Sequence, residues 1–513
     1  MSKQIKNKEG TFIYNKESKN SMVKKQKKFY ITTPIYYVND IPHIGSAYTT
    51  IISDILARWH RIKGEKVFLL TGLDENSQKT VQASIKLGFN DIQKYTNFMA
   101  EKWINVWKVL NISNDDFIRT TEERHKNLVN EFFNKVNDKK DIYKGNYEGL
   151  YCEGCETFLT ESELVNGNCS AHLKPPKQIS EINYFFKLSK YQDKLLSYIE
   201  KNPDFIQPQS RKNEMLSFIK SGLKDISISR NSLRWGITLP IDNEQKIWVW
   251  FDALINYLHP KEYWPADLHL IGKDITRPHV VIWPAMLMSA GYKLPKKVFA
   301  HGFFTVNGQK ISKSLGNAID PIYLVNKYGI DALRYFCSRE IPFGQDGDFS
   351  EESLKNRLNN ELANELGNLV SRTLTLVEKK LNGNINKDKT DKVLFKNLDI
   401  KKIDNFMLNL EPHNAIAGIF GFIQDCNIYI NEKSPWQLED KSKINKILYN
   451  LCDAMRIITI LISSFMPSTS EKISEQLNLQ KDKLTLEYCK PGHLLNTHIK
   501  KGEILFKKIE NDK

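Results

Sequence analysis

The chain has 513 residues, 41% of them hydrophobic and 11% aromatic, which suits several domains with sizeable cores and excludes a disordered protein. Its net charge of +14 fits an anionic partner such as RNA, although biased codon composition would also produce this Lys-, Asn- and Ile-rich vocabulary. No apolar run reaches the roughly 18 residues of a membrane span, so no membrane partner is expected. The seven cysteines form no secreted framework, which points to a reducing cytoplasm.

Residues 1–28 are lysine-rich, contain Glu9 and Glu17 but no arginine, and lack a signal-peptide core. They read as a disordered basic leader, with Met22 as an alternative start. A short strand at Tyr30-Ile31 is expected to break at Pro34, followed by a loop with Tyr36, Tyr37, Asn39 and Asp40 and then Pro42-His43-Ile44-Gly45-Ser46. From Ala47 the apolar positions Ile51, Ile52, Ile55, Leu56 and Trp59 recur at helical spacing. His43 and Gly45 therefore stand at a strand-to-helix corner, where unpaired N–H groups and the helix dipole attract phosphate. Gly45 lets a nucleotide approach the backbone, and His43 can donate to a phosphoryl oxygen. A capped helix start with a satisfied surface histidine would look the same. Lys66–Leu70 is a continuous apolar run typical of a buried parallel strand. It leads to Asp74, which either faces a bound ammonium group or caps a helix. Helical periodicity follows over Val81–Leu87 and Tyr95–Leu110, with Trp103 and Trp107 as core.

An insertion is expected over residues 138–245, centred on Cys152-Glu-Gly-Cys155, a gap of thirteen residues, and Cys169-Ser-Ala-His172. Three thiolates and one imidazole at this spacing make a closed tetrahedral site for one structural Zn²⁺. Lys246–Phe251 resumes strand character, with Trp248 and Trp250 on one face by the period of two and a helical start at Asp252. Leu268–Asp274 reads as a parallel strand ending in Gly272 and Asp274, suited to ribose hydroxyls. Ile275, His279 and Trp283 recur every four residues, a stripe that is ordinarily core. Val298–Gly302 ends another strand and leads past the hairpin signal Asn307-Gly308 to Lys310-Ile311-Ser312-Lys313-Ser314. That loop offers charge and hydroxyls to a polyphosphate, or is a solvated basic turn. Beyond Asp331 the pattern is helical to about Gln476. Asn368 and Arg372, four apart, either address one base together or form a solvated face. Ser434-Pro435-Trp436 reads as an N-cap with proline at the first helical position, presenting Trp436 to stack on a base or to pack.

His43-Ile44-Gly45 early and Lys310-Ile311-Ser312-Lys313-Ser314 late, on an α/β pattern, resemble the signatures of class I aminoacyl-tRNA synthetases. From Phe29 to about Ile509 the chain is similar to bacterial-type methionyl-tRNA synthetases with a single zinc knuckle. The opening stretch, the Cys/His knuckle, Val249-Trp-Phe-Asp-Ala253, Ile271-Gly-Lys-Asp274, Trp283-Pro-Ala-Met-Leu287 and Pro435-Trp436 follow that family's order. The resemblance implies an α/β fold: a Rossmann-like parallel-sheet catalytic domain in two halves, 29–137 and 246–305, split by the zinc-bearing insertion 138–245. A stem-contact region, 306–360, and an α-helical anticodon-binding bundle, 361–513, follow. It implies a ligase that activates L-methionine with ATP and Mg²⁺ and charges initiator and elongator tRNA(Met). Residue by residue it places Pro34, Ile35, Tyr37, Asp74, Trp250, Ala253, Leu254, Tyr257, Ile275, His279 and Trp283 around methionine. His43, Gly45, Ser46, Gly272, Asp274, Lys310, Ser312 and Lys313 fall on ATP, with His43, Lys310 and Lys313 stabilising charge. Asn368, Arg372 and Trp436 fall on the CAU anticodon.

Ser46 stands where the signature usually ends in a second histidine, which puts part of the phosphate grip in doubt. Asn76-Ser77 replaces a common His-Gly, and Leu254 is larger than the proline some members carry. Because the chain stops at Lys513 without the dimer-forming domain of longer members, a monomer is expected. Two alternatives stay open: a catalytically silent tRNA-binding paralogue, and a class I ligase for another aliphatic amino acid.

Overall fold

Six parallel strands carry the amino-terminal half of the molecule. A computed structural model of the protein describes residues 26–152, 157–159, 164–170, 173–231, 233–306, 308–311 and 318–510. In chain order the strands are β1 (Lys28–Tyr37), β2 (Lys66–Asp74), β3 (Asp116–Arg119), β4 (Ile206–Gln207), β5 (Leu268–Gly272) and β6 (Val298–His301), and across the sheet they run β3-β2-β1-β5-β6-β4. Chain order reverses between β1 and β5, and ligands of such sheets sit beyond the strands' carboxyl ends at that crevice. Because helices cover both faces, β2 is buried along almost its whole length. At Gly72 a Cβ would lie 2.0 Å from the Ile118 carbonyl oxygen, so only glycine lets β3 pair this closely.

Three expectations are corrected here. Strand β1 does not break at Pro34 but continues to Tyr37, absorbing the proline in a register shift between Thr32 and Ile35. The insertion is not one excursion over 138–245. An antiparallel pair, Ile142–Cys152 with Lys177–Phe186, leaves the domain, but β4 returns to the main sheet beside β6. Leu195, Ile199, Met215 and Ile219 from its flanking helices join the same core as Trp283. Third, the strand before Trp248 ends at Ile247, and Val249–Ala253 is helical, so Trp248 and Trp250 share no strand face.

The helices used below are α1 (Ile44–Ile62), α2 (Glu123–Asp138), α3 (Val249–Ala253), α4 (Trp283–Ala290), α5 (Ile330–Arg339) and α6 (Asn368–Leu381). One apolar core runs from β1 and α1 through α5 into the carboxyl-terminal bundle, and a second lies under α2, α3 and α4. A fully buried ion pair ties the first core together. Arg334 of α5 donates to Asp54 of α1 at 2.7 Å and to the carbonyls of Ser464 (3.0 Å) and Phe465 (2.9 Å) in the bundle. Burial pushes the Asp54 carboxyl up, but Arg334, Arg58 and Ser113 more than offset it and hold it below the ordinary carboxylate range. Among the described residues no helix is long and apolar enough to cross a membrane.

Candidate active site

The corner at the start of α1 is closed by its own side chains. His43 is the N-cap in extended conformation, and Gly45 N–H donates to its Nδ1 at 3.1 Å. With Nδ1 accepting, the neutral ring carries its proton on Nε2. A Cβ on Gly45 would lie 2.9 Å from His43 Cε1, so this fold of the ring over the corner requires glycine. Ser46 Oγ donates to the His43 carbonyl at 2.8 Å and accepts from His43 N–H at 3.1 Å, a capping box. The hydroxyl expected to face phosphate thus closes the helix end. Ile44 N–H donates to the Ile319 carbonyl at 3.0 Å, which bonds this corner to the segment directly after the lysine loop. The corner and the segment after the lysine loop, more than 270 residues apart in sequence, are thus bonded to each other.

The lysine loop itself is described in part. Phe304–Val306 pairs antiparallel with Gln309–Lys310, the hairpin that Asn307-Gly308 signals, and Gly308 has φ 71°. Of Lys310 only the backbone is described, and Ser312 and Lys313 lie outside the described residues. Gly272 and Asp274 sit at the carboxyl end of β5, with the Asp274 carboxylate folded back over Gly272. Beside them Lys273 Nζ donates to Asp346 at 2.5 Å. At the end of β6, Gly302 packs so tightly that a Cβ would meet the Gln345 backbone at 2.3 Å, and His301 Nε2 lies 2.8 Å from Thr49 Oγ1 of α1.

Across the crevice, the expected core stripe Ile275, His279, Trp283 joins Tyr257 and Trp250 in a cage. His279 Nδ1 lies 2.8 Å from the Ile275 carbonyl and its Nε2 lies 2.7 Å from the Tyr257 hydroxyl. A carbonyl only accepts, so Nδ1 carries the proton and Tyr257 donates to Nε2. Burial lowers the imidazole to about 4, against the opposing pull of the Ile275 bond, so the ring is neutral. Trp250 meets His279 edge-on, 6.1 Å between centroids, and Trp283 lies 6.2 Å from Tyr257. Pro34, Ala253, Leu254, Tyr257, His279 and Trp283 are buried, while Ile35, Tyr37, Trp250 and Ile275 are half-buried at the rim. Asp74, buried at the end of β2, is close enough to help raise the Tyr257 hydroxyl above its ordinary range, after burial itself. His279 lies in a π-helical turn, Pro278–Ile282, between a 3₁₀ turn and α4. Such widened turns concentrate at functional sites, and no residue pattern announces this one.

In the bundle, exposed Asn368 opens α6 and Arg372 follows one turn later. Arg372 donates to Asn431 at 2.9 Å, and its guanidinium lies 5.4 Å from the ring of Trp436, which is 39% exposed. The three expected anticodon readers therefore lie on one surface. Ser434 ends the preceding helix Pro412–Lys433 in the left-handed region, with φ 42°, and also stands at the N-cap of the turn that carries Trp436, with Pro435 at its first position but no capping bond from its side chain. Only a three-residue 3₁₀ turn, Pro435–Gln437, follows it. In the insertion, Cys152 and Cys169 are buried and share a small core with Leu159. Cys155 and His172 lie outside the described residues.

One part of this region was not anticipated: a polar network of the buried Asn76, His125 and Asp252 with half-buried His259. Its members are scattered through the sequence with no common spacing, so nothing linear joins them.

Comparison with known proteins follows the same division. Residues 29–177 and 162–374 match the family described as class I (M) tRNA synthetases, and residues 395–510 match the anticodon-binding domain of tRNA ligases. The chain is 47% identical over 511 residues to the methionine–tRNA ligase of Caldanaerobacter subterraneus subsp. tengcongensis, spanning 95% of this chain and 80% of that one. It is 44% identical over 507 residues to the methionine–tRNA ligase of Rickettsia felis, spanning 94% of this chain and 99% of that one. Mycobacterium tuberculosis methionyl-tRNA synthetase in complex with methionyl-adenylate superposes with a TM-score of 0.89 at 38% identity, over 94% of this chain and 100% of that one.

Proposed function

The chain belongs to the methionyl-tRNA synthetase family of class I aminoacyl-tRNA synthetases, and we infer from that membership and from the cage around His279 that it is a methionine–tRNA ligase. The carboxylate of L-methionine attacks the α-phosphorus of ATP in line and expels pyrophosphate, giving methionyl-adenylate. The methionyl group then passes to the 3′-terminal adenosine of tRNA(Met), initiator or elongator. Neither step needs a covalent enzyme intermediate, so catalysis rests on positioning and charge stabilisation.

The observation that carries the substrate assignment is a neutral, aromatic cage beside a carboxylate at the carboxyl ends of parallel strands. Asp74 receives the ammonium group. Pro34, Ile35, Tyr37, Trp250, Ala253, Leu254, Tyr257, Ile275, His279 and Trp283 enclose the thioether, whose polarizable sulfur favours aromatic edges. A neutral His279 adds a polar edge without a charge that an uncharged side chain would have to desolvate. On the ATP side, His43, Lys310 and Lys313 neutralise charge developing on the phosphates, which Mg²⁺ accompanies. Gly45 and Ser312 line the phosphates, Ser46 holds His43 in place, and Gly272 with Asp274 takes the ribose. Asn368, Arg372 and Trp436 read the CAU anticodon, with Trp436 stacking on a splayed base.

Cys152, Cys155, Cys169 and His172 would hold one structural zinc. The two described thiols fit that role, being buried together where a metal would replace apolar core in tying the knuckle. Such a metal supplies cross-linking and takes no part in the chemistry. We place the enzyme in the cytoplasm as a monomer. The deciding experiment is ATP–pyrophosphate exchange with methionine run against leucine, isoleucine, valine and cysteine. Exchange driven by methionine alone is expected, whereas exchange driven by another amino acid would overturn the specificity.

A further inference from the structure

The amino-acid site is assembled from two pieces of chain. One is the end of β2, which carries Asp74. The other is α3 and the 3₁₀ turn after it, Leu254–Leu258, which carry Trp250, Ala253, Leu254 and Tyr257. Between them lies Asp252, fully buried. Its Oδ2 accepts from Asn76 Nδ2 at 2.8 Å, and its Oδ1 lies 2.6 Å from His125 Nε2. Asn76 stands two residues beyond Asp74, and its amide also donates to the Thr120 carbonyl at 3.1 Å, at the end of β3. His125, fully buried on α2, is braced from behind by His259, with Nδ1 and Nε2 3.4 Å apart. One carboxylate therefore joins α2, α3 and the ends of β2 and β3.

We propose that Asp252 is a positioning residue for the amino-acid site, its carboxylate holding the cage residues of α3 in register with Asp74. This rests on the reading of those residues as the methionine pocket. Asp252 acts through its neighbours: Trp250 lies two residues before it, Ala253 and Leu254 directly after it, and Asp74 is reached through Asn76. A carboxylate is needed because two donors from different elements converge on it, and its two oxygens accept one each. An amide of the same shape offers one oxygen and one N–H₂ group. One of the two incoming donors then faces another donor in a buried site, where an unmade hydrogen bond is most damaging.

The test uses Asp252→Asn and Asn76→Ala in the full chain, assayed by ATP–pyrophosphate exchange with methionine and ATP varied separately. The expected result is a methionine KM raised tenfold or more in each variant, with the ATP KM within about twofold of the parent. The double variant is expected to fall short of the product of the two single effects, because both changes weaken the same network around residue 252. His125→Gln, which keeps an N–H donor, should recover most of the methionine affinity that His125→Leu loses. A general packing defect would instead lower yield and kcat for all substrates and leave the KM ratio unmoved. Unchanged methionine KM in folded Asn76→Ala, or effects that multiply in the double variant, would overturn the proposal. If Asp252→Asn does not fold, Asn76→Ala and the His125 pair carry the test. Absence of methionine-driven exchange in the parent protein would overturn the pocket reading itself, a different failure.

Discussion

The neutrality of His279 makes the pH response of methionine binding a direct check on the cage. At a pKa of about 4, roughly one ring in three hundred is protonated at pH 6.5 and about one in ten at pH 5. Were the ring ordinary, with a pKa near 6.5, half would be protonated at pH 6.5 and about 97% at pH 5. If the protonated ring does not bind methionine, the dissociation constant then rises only about 1.1-fold from pH 8 to pH 5 for the caged histidine, against roughly 30-fold for an ordinary one. Trp250 and Trp283 are part of the cage, so intrinsic fluorescence titrated with methionine alone reads the constant without ATP's own ionisation. An inflection between pH 6 and 7 in the parent protein would refute the assignment of the ring as buried and neutral. Tyr257→Phe removes the hydroxyl that donates to Nε2. It leaves a buried acceptor unsatisfied, at about 1–3 kcal/mol, and should move the inflection upward. The same depression has a sign for stability. The unfolded chain takes up this proton near pH 6.5 and the folded chain near pH 4. Stability is therefore fully present above about 6.5 and falls as pH drops through that window.

Removing Arg334 by Arg334→Met strands the Asp54 carboxylate and two bundle carbonyls, although Arg58 still reaches Asp54 at 2.7 Å. A loss of about 3–5 kcal/mol is expected in urea unfolding, and an unmoved midpoint would show that the pair contributes nothing net. Trp436→Ala should lower kcat/KM for tRNA charging roughly 5- to 150-fold, the equivalent of about 1–3 kcal/mol of base stacking. Exchange of ATP with pyrophosphate should be unaffected by it, and a parallel fall in exchange would sever Trp436 from anticodon reading. Metal analysis should find one zinc per chain, lost in Cys152→Ser. Protease cutting within residues 142–186 should then rise, and a metal-free parent with the same cutting pattern would dismiss the knuckle.

What could be read in the linear chain was whatever repeats locally. The apolar run of β2 and the helical spacing of α1 each state their own environment, and they appear where expected. The expectations that failed are those where a tertiary contact decides. Pro34 lies within β1 because a register shift lets the strand pass it, which no local preference reveals. Strand β4 looks like part of an insertion until β6 is there to pair with it. Trp248 and Trp250 alternate as a strand would, yet the Trp248 amide bonds back to Ile228 and the chain turns helical after it. The site divides the same way. His43, Asp74 and the lysine loop stand at predicted strand ends, whereas Asp252 meets His125 and Asn76 only through the fold.

Ser46 shows how a departure from a family pattern can be absorbed. The family position ordinarily offers a second imidazole to phosphate, and a serine there looks like a lost donor. In this chain Ser46 is only 8% exposed, and its hydroxyl bonds both the N–H and the carbonyl of His43. It therefore fixes the backbone of the residue whose ring presents Nε2–H. A short side chain suits that double bond, because its oxygen reaches back over one turn without crossing the ring of His43 that lies against Gly45. What the corner lacks in a second ring it gains in the fixed orientation of the first, and electrostatic stabilisation by donors already in place needs no rearrangement as charge develops. The bond from Ile44 to Ile319 then sets the lysine loop's exit against that same fixed turn. In the role proposed for His43 and the lysine loop, charge stabilisation thus depends less on how many donors the corner carries than on how rigidly its first turn is held.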